Sequence, residues 1–170
     1  MIPHDYVHTM AAYNQWMNQR LYDACAELSV EQRKRDLRAF FKSIHGTLNH
    51  LLLGDRLWMG RFRGVPFQIQ SLDQELYSDF ATLRAERELT DKDIIEWVHG
   101  LRDEDFRRDL SFLTIANPQP HTCPFSVAVL QFFNHQTHHR GQLTTLLMQN
   151  GIDPGVTDLM WLPHLQRPDS

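Results

Sequence analysis

The chain has 170 residues, enough for one domain, 1–170, with a core of its own. Its 17 Lys and Arg stand against 21 Asp and Glu, a formal charge of −4, which gives no basic field to hold a phosphate backbone, so no nucleic-acid partner is expected. No uninterrupted apolar run is long enough to span a bilayer, and no basic-then-apolar leader opens the chain; a soluble, cytoplasmic protein without a membrane partner is expected.

The first amphipathic segment runs from about Asp5 to Leu28, with Tyr6, Val7, Met10, Asn14, Met17, Leu21, Ala24 and Leu28 on one side at helical spacing. The polar stretch Ser29 to Arg38 separates it from a second helix that Ser43 opens and that runs to about Phe62, where Gly64 and Pro66 end it. A third helical region begins near Leu72, keeps Leu76, Phe80 and Leu83 in register and continues through Ile94, Ile95, Val98 and Leu101; Thr90 to Asp93 reads as a restart that would divide it in two. From Phe106 to Pro124 the period is lost: RRDLSFLTI reads as a short extended segment and NPQPHTCP as a proline-rich loop. The last helix spans about Pro124 to Asn150, with Gly151 as its cap, and in the tail beyond it Met160, Trp161 and Leu162 are expected to fold back. Four helices of about twenty residues make an all-α four-helix bundle the default architecture, with a short irregular or extended segment before the last helix.

Two cysteines, Cys25 and Cys123, lie far apart and form neither a disulfide framework nor a C-x-x-C motif, so the chemistry is sought among the ten histidines. In the last helix, at about 100° per residue, His135 and His139 share the stripe of Ala128, Phe132, Leu143, Leu146 and Leu147, while His138 falls outside it as a rim or surface residue. Rings at i and i+4 rise from adjacent turns with Cβ atoms about 5 to 6 Å apart, a separation that suits two imidazoles on one ion. In the second helix His50 shares a side with Thr47, Leu51, Gly54, Trp58 and Phe62, whereas His45 points away. Three inward imidazoles would be costly without partners, and one divalent ion satisfies all three. Imidazole suits Zn, Ni, Cu or Fe, and three protein ligands leave a position open, the pattern of a catalytic site.

The inward His50 followed by an apolar run to Trp58, together with H-x-x-x-H-R-G-Q from His135 to Gln142, resembles the DinB/YfiT family of bacterial metal-binding four-helix bundles. The resemblance extends to YNQWMNQRL near the start, FATLRAER in the third helix and NGIDP after the fourth. It implies an up-down-down-up bundle, often dimeric, with metal ligands at His50, His135 and His139 and with zinc or nickel as the expected ion. Related branches of that family are thiol-dependent transferases and isomerases that use low-molecular-weight thiols, the metal activating the thiol.

Other residues carry two readings each. Gly54 would leave room for substrate or water beside the ion, or for close packing of a neighbouring helix. Gln142 would orient a ligand or water, or lie on the helix surface. Arg61, on the His50 side three turns on, would hold a substrate carboxylate, or be a solvated rim arginine. Trp58 would line the same pocket. Arg140 suits an interhelical ion pair, Asp55 points away as a structural acid, and no Glu interrupts H-x-x-x-H as a metalloprotease motif requires. A second apolar track on the last helix, Leu130, Phe133 and Met148, points to a homodimer unless the tail around Trp161 covers it. The expected function is a divalent-metal-dependent enzyme that activates water or a low-molecular-weight thiol against a small-molecule substrate; the alternative is a non-catalytic metal-binding stress-response protein.

Overall fold

In the computed structural model, which describes residues 4–115 and 117–165, the first apolar period folds as α1, His4–Ala26, and buries Val7, Met10, Asn14, Met17, Leu21 and Ala24. Tyr6 stands at its edge, 37% exposed. The polar stretch after it holds a short helix, α2, Val30–Lys34, signalled by S-V-E-Q: the Ser29 side chain accepts from the Gln32 N–H while the Gln32 side chain accepts from the Ser29 N–H. Ser43 caps α3, Ile44–Arg63, by accepting from Gly46 N, and Gly64, at φ 71°, ends it. The later helices are α4, Phe80–His99, and α5, Phe125–Gln149. What the sequence suggests of the tail after Leu165 lies outside the described residues.

The third helical region starts eight residues later than the spacing of Leu72 and Leu76 predicts. Asp79 caps α4 through the Thr82 N–H, and the backbone before it is engaged by α3: Leu76 N and Tyr77 N donate to Asn49 Oδ1, and Tyr77 O accepts from Asn49 Nδ2. Those groups are satisfied by side chains and so are withheld from a helical ladder. Nor does the helix restart at Thr90, whose hydroxyl bonds back to Glu86 O inside an unbroken α4. The proline-rich loop is in part a strand. Strands β1, Asp109–Leu113, and β2, Pro120–Pro124, pair antiparallel with Leu110 opposite Cys123, and Ser111 Oγ and Thr122 Oγ1 meet at 2.8 Å.

The four long helices pack in the cyclic order α1, α4, α3, α5, each touching two neighbours. Their shared interior holds Met17, Leu21, Leu48, Leu52, Leu83, Ile94, Phe125, Phe132 and Leu147, each burial contributing roughly 1.5–3 kcal/mol for the larger side chains. Among the described residues no helix is long and apolar enough to cross a membrane. Phe133 belongs to this core, 1% exposed, so the second apolar track on α5 is interrupted: Leu130 and Met148 are exposed and Phe133 is not. In the tail Leu162 docks on the core while Met160 and Trp161 stay exposed.

A polar layer crosses this interior and ties all four long helices together. Arg87 of α4 sets its guanidinium nitrogens 2.6 Å from Asp55 of α3 and 2.9 Å from Asp91, contacts that lie off the N–H axes. Asn18 of α1 donates to Asp91, Gln136 of α5 donates to Asp55, and Arg140 of α5 donates to Asn14 Oδ1. Two carboxylates and two guanidinium groups balance there. Burial raises the Asp55 and Asp91 carboxyls and lowers the Arg140 guanidinium, and Arg87 opposes the rise of both acids. Arg140 therefore forms no direct ion pair among the described residues; it is held by Asn14, Thr137 and the face of Tyr13.

Candidate metal centre

α3 and α5 bring His50, His135 and His139 together, with His50 Nε2 lying 3.2 Å from Nε2 of each of the other two. Nitrogens bound at about 2.0–2.1 Å to one tetrahedral ion stand roughly 3.3 Å apart, so the spacing fits a shared ion. His50 and His139 are buried, at 6% and 8% exposure, and His135 is half-buried.

The outer ring nitrogens decide what the inner ones can do. His50 Nδ1 lies 2.9 Å from Leu72 O, and since a carbonyl only accepts, Nδ1 carries the hydrogen and Nε2 keeps its lone pair. His139 Nδ1 donates to Gln142 Oε1 at 2.8 Å, with the same result, and Gln142 Nε2 donates in turn to the exposed His138 at 3.3 Å. Two lone pairs thus face each other at 3.2 Å. A single hydrogen on His135 can serve only one of them, and His135 Nδ1 is buried without a hydrogen-bond partner among the described residues. A divalent cation engages all three nitrogens, so the residues fit such an ion.

Burial keeps the rings neutral. It holds His50 down at about 4, against the bond to Leu72 O, with His139 lowering it further. His135 is held at about 3 by burial and by the other imidazoles, and His139 is lowered by burial although Gln142 opposes the shift. Neutral imidazole is the form that ligates.

Gly54 does not leave space for substrate. A Cβ at that position would stand 2.8 Å from His135 Cε1, so the missing side chain makes room for the His135 ring itself. Trp58 and Arg61 lie one and nearly two turns along α3 from Gly54; among the described residues neither makes a ring contact or hydrogen bond with the three histidines, and the Arg61 guanidinium stacks on Trp58 and on Phe112 of β1. His45 points away from the cluster but is buried, its Nε2 bonded to Tyr77 O. Cys25 is fully buried, its thiol pushed up to about 12, and is no nucleophile.

A sequence model of the DinB family matches residues 1–170. The chain belongs to the DinB family. Protein DinB of Bacillus subtilis (strain 168) is 28% identical to it over 166 residues, covering 91% of each chain.

This DinB family protein also uses residues at the cluster that its motifs do not reveal. Phe41 lies flat on His50, ring centroids 3.7 Å apart and 17° from parallel, and meets His139 edge-on at 5.4 Å. The hairpin-like turn closed by Ala39 and Lys42 places it there, and Gly46 permits the approach, because a Cβ on Gly46 would fall 2.2 Å from Phe41 O. The glycine three residues after the Ser43 cap was the one available signal. Leu72 enters through its carbonyl alone, which no side-chain pattern encodes.

Proposed function

We propose that this DinB family protein is a divalent-metal-dependent enzyme, folded as the family's up-down-down-up four-helix bundle, with His50, His135 and His139 as ligands to one zinc or nickel ion per chain. The observation that supports it is the pair of tautomers fixed by Leu72 O and Gln142 Oε1, which turns two Nε2 lone pairs toward one point beside His135. Bound there, a divalent ion supplies Lewis acidity that lowers the pKa of a water or a small thiol and yields a nucleophile near neutral pH. The chain's own part is to hold the rings. Leu72 O and Phe41 fix the plane of His50, Gln142 fixes His139, and Gly54 seats His135. Held by His50, His135 and His139 alone, such an ion would remain open to a small-molecule substrate or a low-molecular-weight thiol. The reaction class that suits such a site is thiol transfer to, or hydrolysis of, a small electrophile.

The test is cobalt substitution. The visible spectrum of the cobalt protein should change saturably on titration with cysteine or 2-mercaptoethanol, and azide should compete. A spectrum indifferent to both, with cobalt bound at one equivalent, would reject the enzyme reading in favour of a non-catalytic metal-binding protein. Failure of the His50→Ala, His135→Ala and His139→Ala variants to lose the ion would reject the ligand set.

A further inference from the structure

Arg61 differs from the other arginines of α3. Arg56 pairs with Glu86 and Arg63 makes a two-pronged pair with Asp93, whereas Arg61 has no hydrogen bond or ion pair among the described residues. Its guanidinium is instead held by two aromatic faces, 4.6 Å from Trp58 and 4.2 Å from Phe112. Stacking of that kind holds the plane of the group and leaves its edge, with its N–H donors, unused. Arg61 lines a cavity of about 630 Å³ between the end of α3, the loop that follows it and the β1–β2 hairpin. Leu57, Phe67, Ile69, Phe112 and Ile115 give that cavity an apolar wall. Among the described residues no acid lines it and none of the three clustered histidines does, and Arg61 is its one formal charge.

We propose that this cavity is a second binding site, separate from the metal centre, for a small apolar carboxylic acid, with the Arg61 guanidinium receiving the carboxylate and the apolar wall receiving the hydrocarbon body. The volume lies within the range of ordinary small-molecule pockets, and a predominantly apolar lining with a few polar groups, here Arg61 with the neutral Gln68, Ser111 and Thr114, is their usual composition. A guanidinium edge matches a carboxylate with two parallel N–H···O bonds. One cation balances one carboxylate, while a doubly charged phosphate would leave a negative charge uncompensated against an apolar wall.

The test uses the full chain, metal-loaded, with 4-phenylbutyrate and octanoate as probes, the neutral amide of 4-phenylbutyrate as the control and inorganic phosphate as competitor. Binding is followed by the chemical shift of the Trp58 indole N–H and by calorimetry. At least one acid should bind saturably and shift Trp58, and the amide should bind about tenfold more weakly or worse, the loss expected when a charge-assisted bond is removed. Arg61→Met, which keeps an unbranched chain against the rings, should lose the acid by a similar factor while metal content and melting temperature stay unchanged; Arg61→Lys should retain part of it. Absence of saturable binding by both acids, equal binding of acid and amide, full affinity in Arg61→Met, or displacement by phosphate at equal concentration would each overturn the proposal. The metal-ligand variants should bind the acids as the parent does, so the outcome is independent of the metal centre.

Discussion

The ring of His135 occupies the place where a side chain on Gly54 would be, its Cε1 only 2.8 Å from the position of the absent Cβ. Gly54→Ala should therefore displace a ligand ring although alanine favours a helix over glycine by about 1 kcal/mol. The expected outcome is unchanged helical circular dichroism with metal affinity reduced by about tenfold or more, the scale of a misplaced ligand. Competition against a chelator of known affinity measures it, and an affinity within twofold of the parent would mean that the ring does not depend on this vacancy.

Each of His50→Ala, His135→Ala and His139→Ala should abolish tight binding of one equivalent of metal, counted by elemental analysis of protein purified without a chelating resin. His138→Ala should leave it nearly unchanged, since that exposed ring meets His139 only edge-on, at 4.8 Å, and bonds Gln142, with none of its own nitrogens among the three that converge. Gln142→Leu, which strips the acceptor from His139 Nδ1, should cost roughly 10- to 100-fold in affinity. A requirement for His138 that exceeded the requirement for His139 would reverse the assignment of faces on α5.

Removing Arg87 leaves Asp55 and Asp91 facing each other without their shared cation. Arg87→Met should lower the stability of the metal-free protein by about 3–5 kcal/mol, the usual penalty for stranding one side of a buried ion pair. Urea denaturation followed at 222 nm reads the loss. A change below about 1 kcal/mol would show that water or local rearrangement relieves the two carboxylates.

Acid should act in a defined direction. The unfolded chain's histidines titrate near 6.5, whereas burial holds His50 at about 4 and His135 at about 3. Between those limits the unfolded state binds more protons, so the contribution of these rings to stability is complete above about pH 6.5 and is lost as the pH falls through the folded values. A bound metal would compete with protons at the folded values too. Free imidazole would predict that affinity declines below about pH 6; the buried rings move that decline lower. Melting curves with and without chelator should show a gap at pH 7.5 that persists at pH 5.5 and narrows only toward pH 4. A gap already closed at pH 6 would contradict burial as the control on these nitrogens.

Three helices and the three clustered histidines were legible in the sequence because each rests on a local period. Ala128, Phe132, His139, Leu143 and Leu147 repeat on one face of α5, and all five are buried. What escaped is non-local. Leu72 and Leu76 continue the apolar spacing of the third helix, yet Asn49 takes their stretch of backbone from 27 residues away. β2 carries prolines at both ends and becomes a strand only because β1 is there to pair with it. The Asp55–Arg87–Asp91 layer is spread over helices whose facing residues no single-helix period identifies, and Phe41 reaches His50 through a turn rather than a motif.

Neighbouring residues on α5 serve different masters: His135 and His139 look into the imidazole cluster, while Gln136 and Arg140, each the next in sequence, look into the charged layer. α3 answers in the same step, with Gly54 against His135 and Asp55 against Gln136. Rotating α5 by one residue, about 100°, would exchange a clustered imidazole for a buried charge partner at both levels at once. The azimuth of the helix is thus set twice, by contacts of unrelated chemistry. On the proposed metal reading, stripping the ion would leave the second constraint in force, so the empty protein would keep its histidines aimed and take up metal without first searching for the orientation of the helix that carries them.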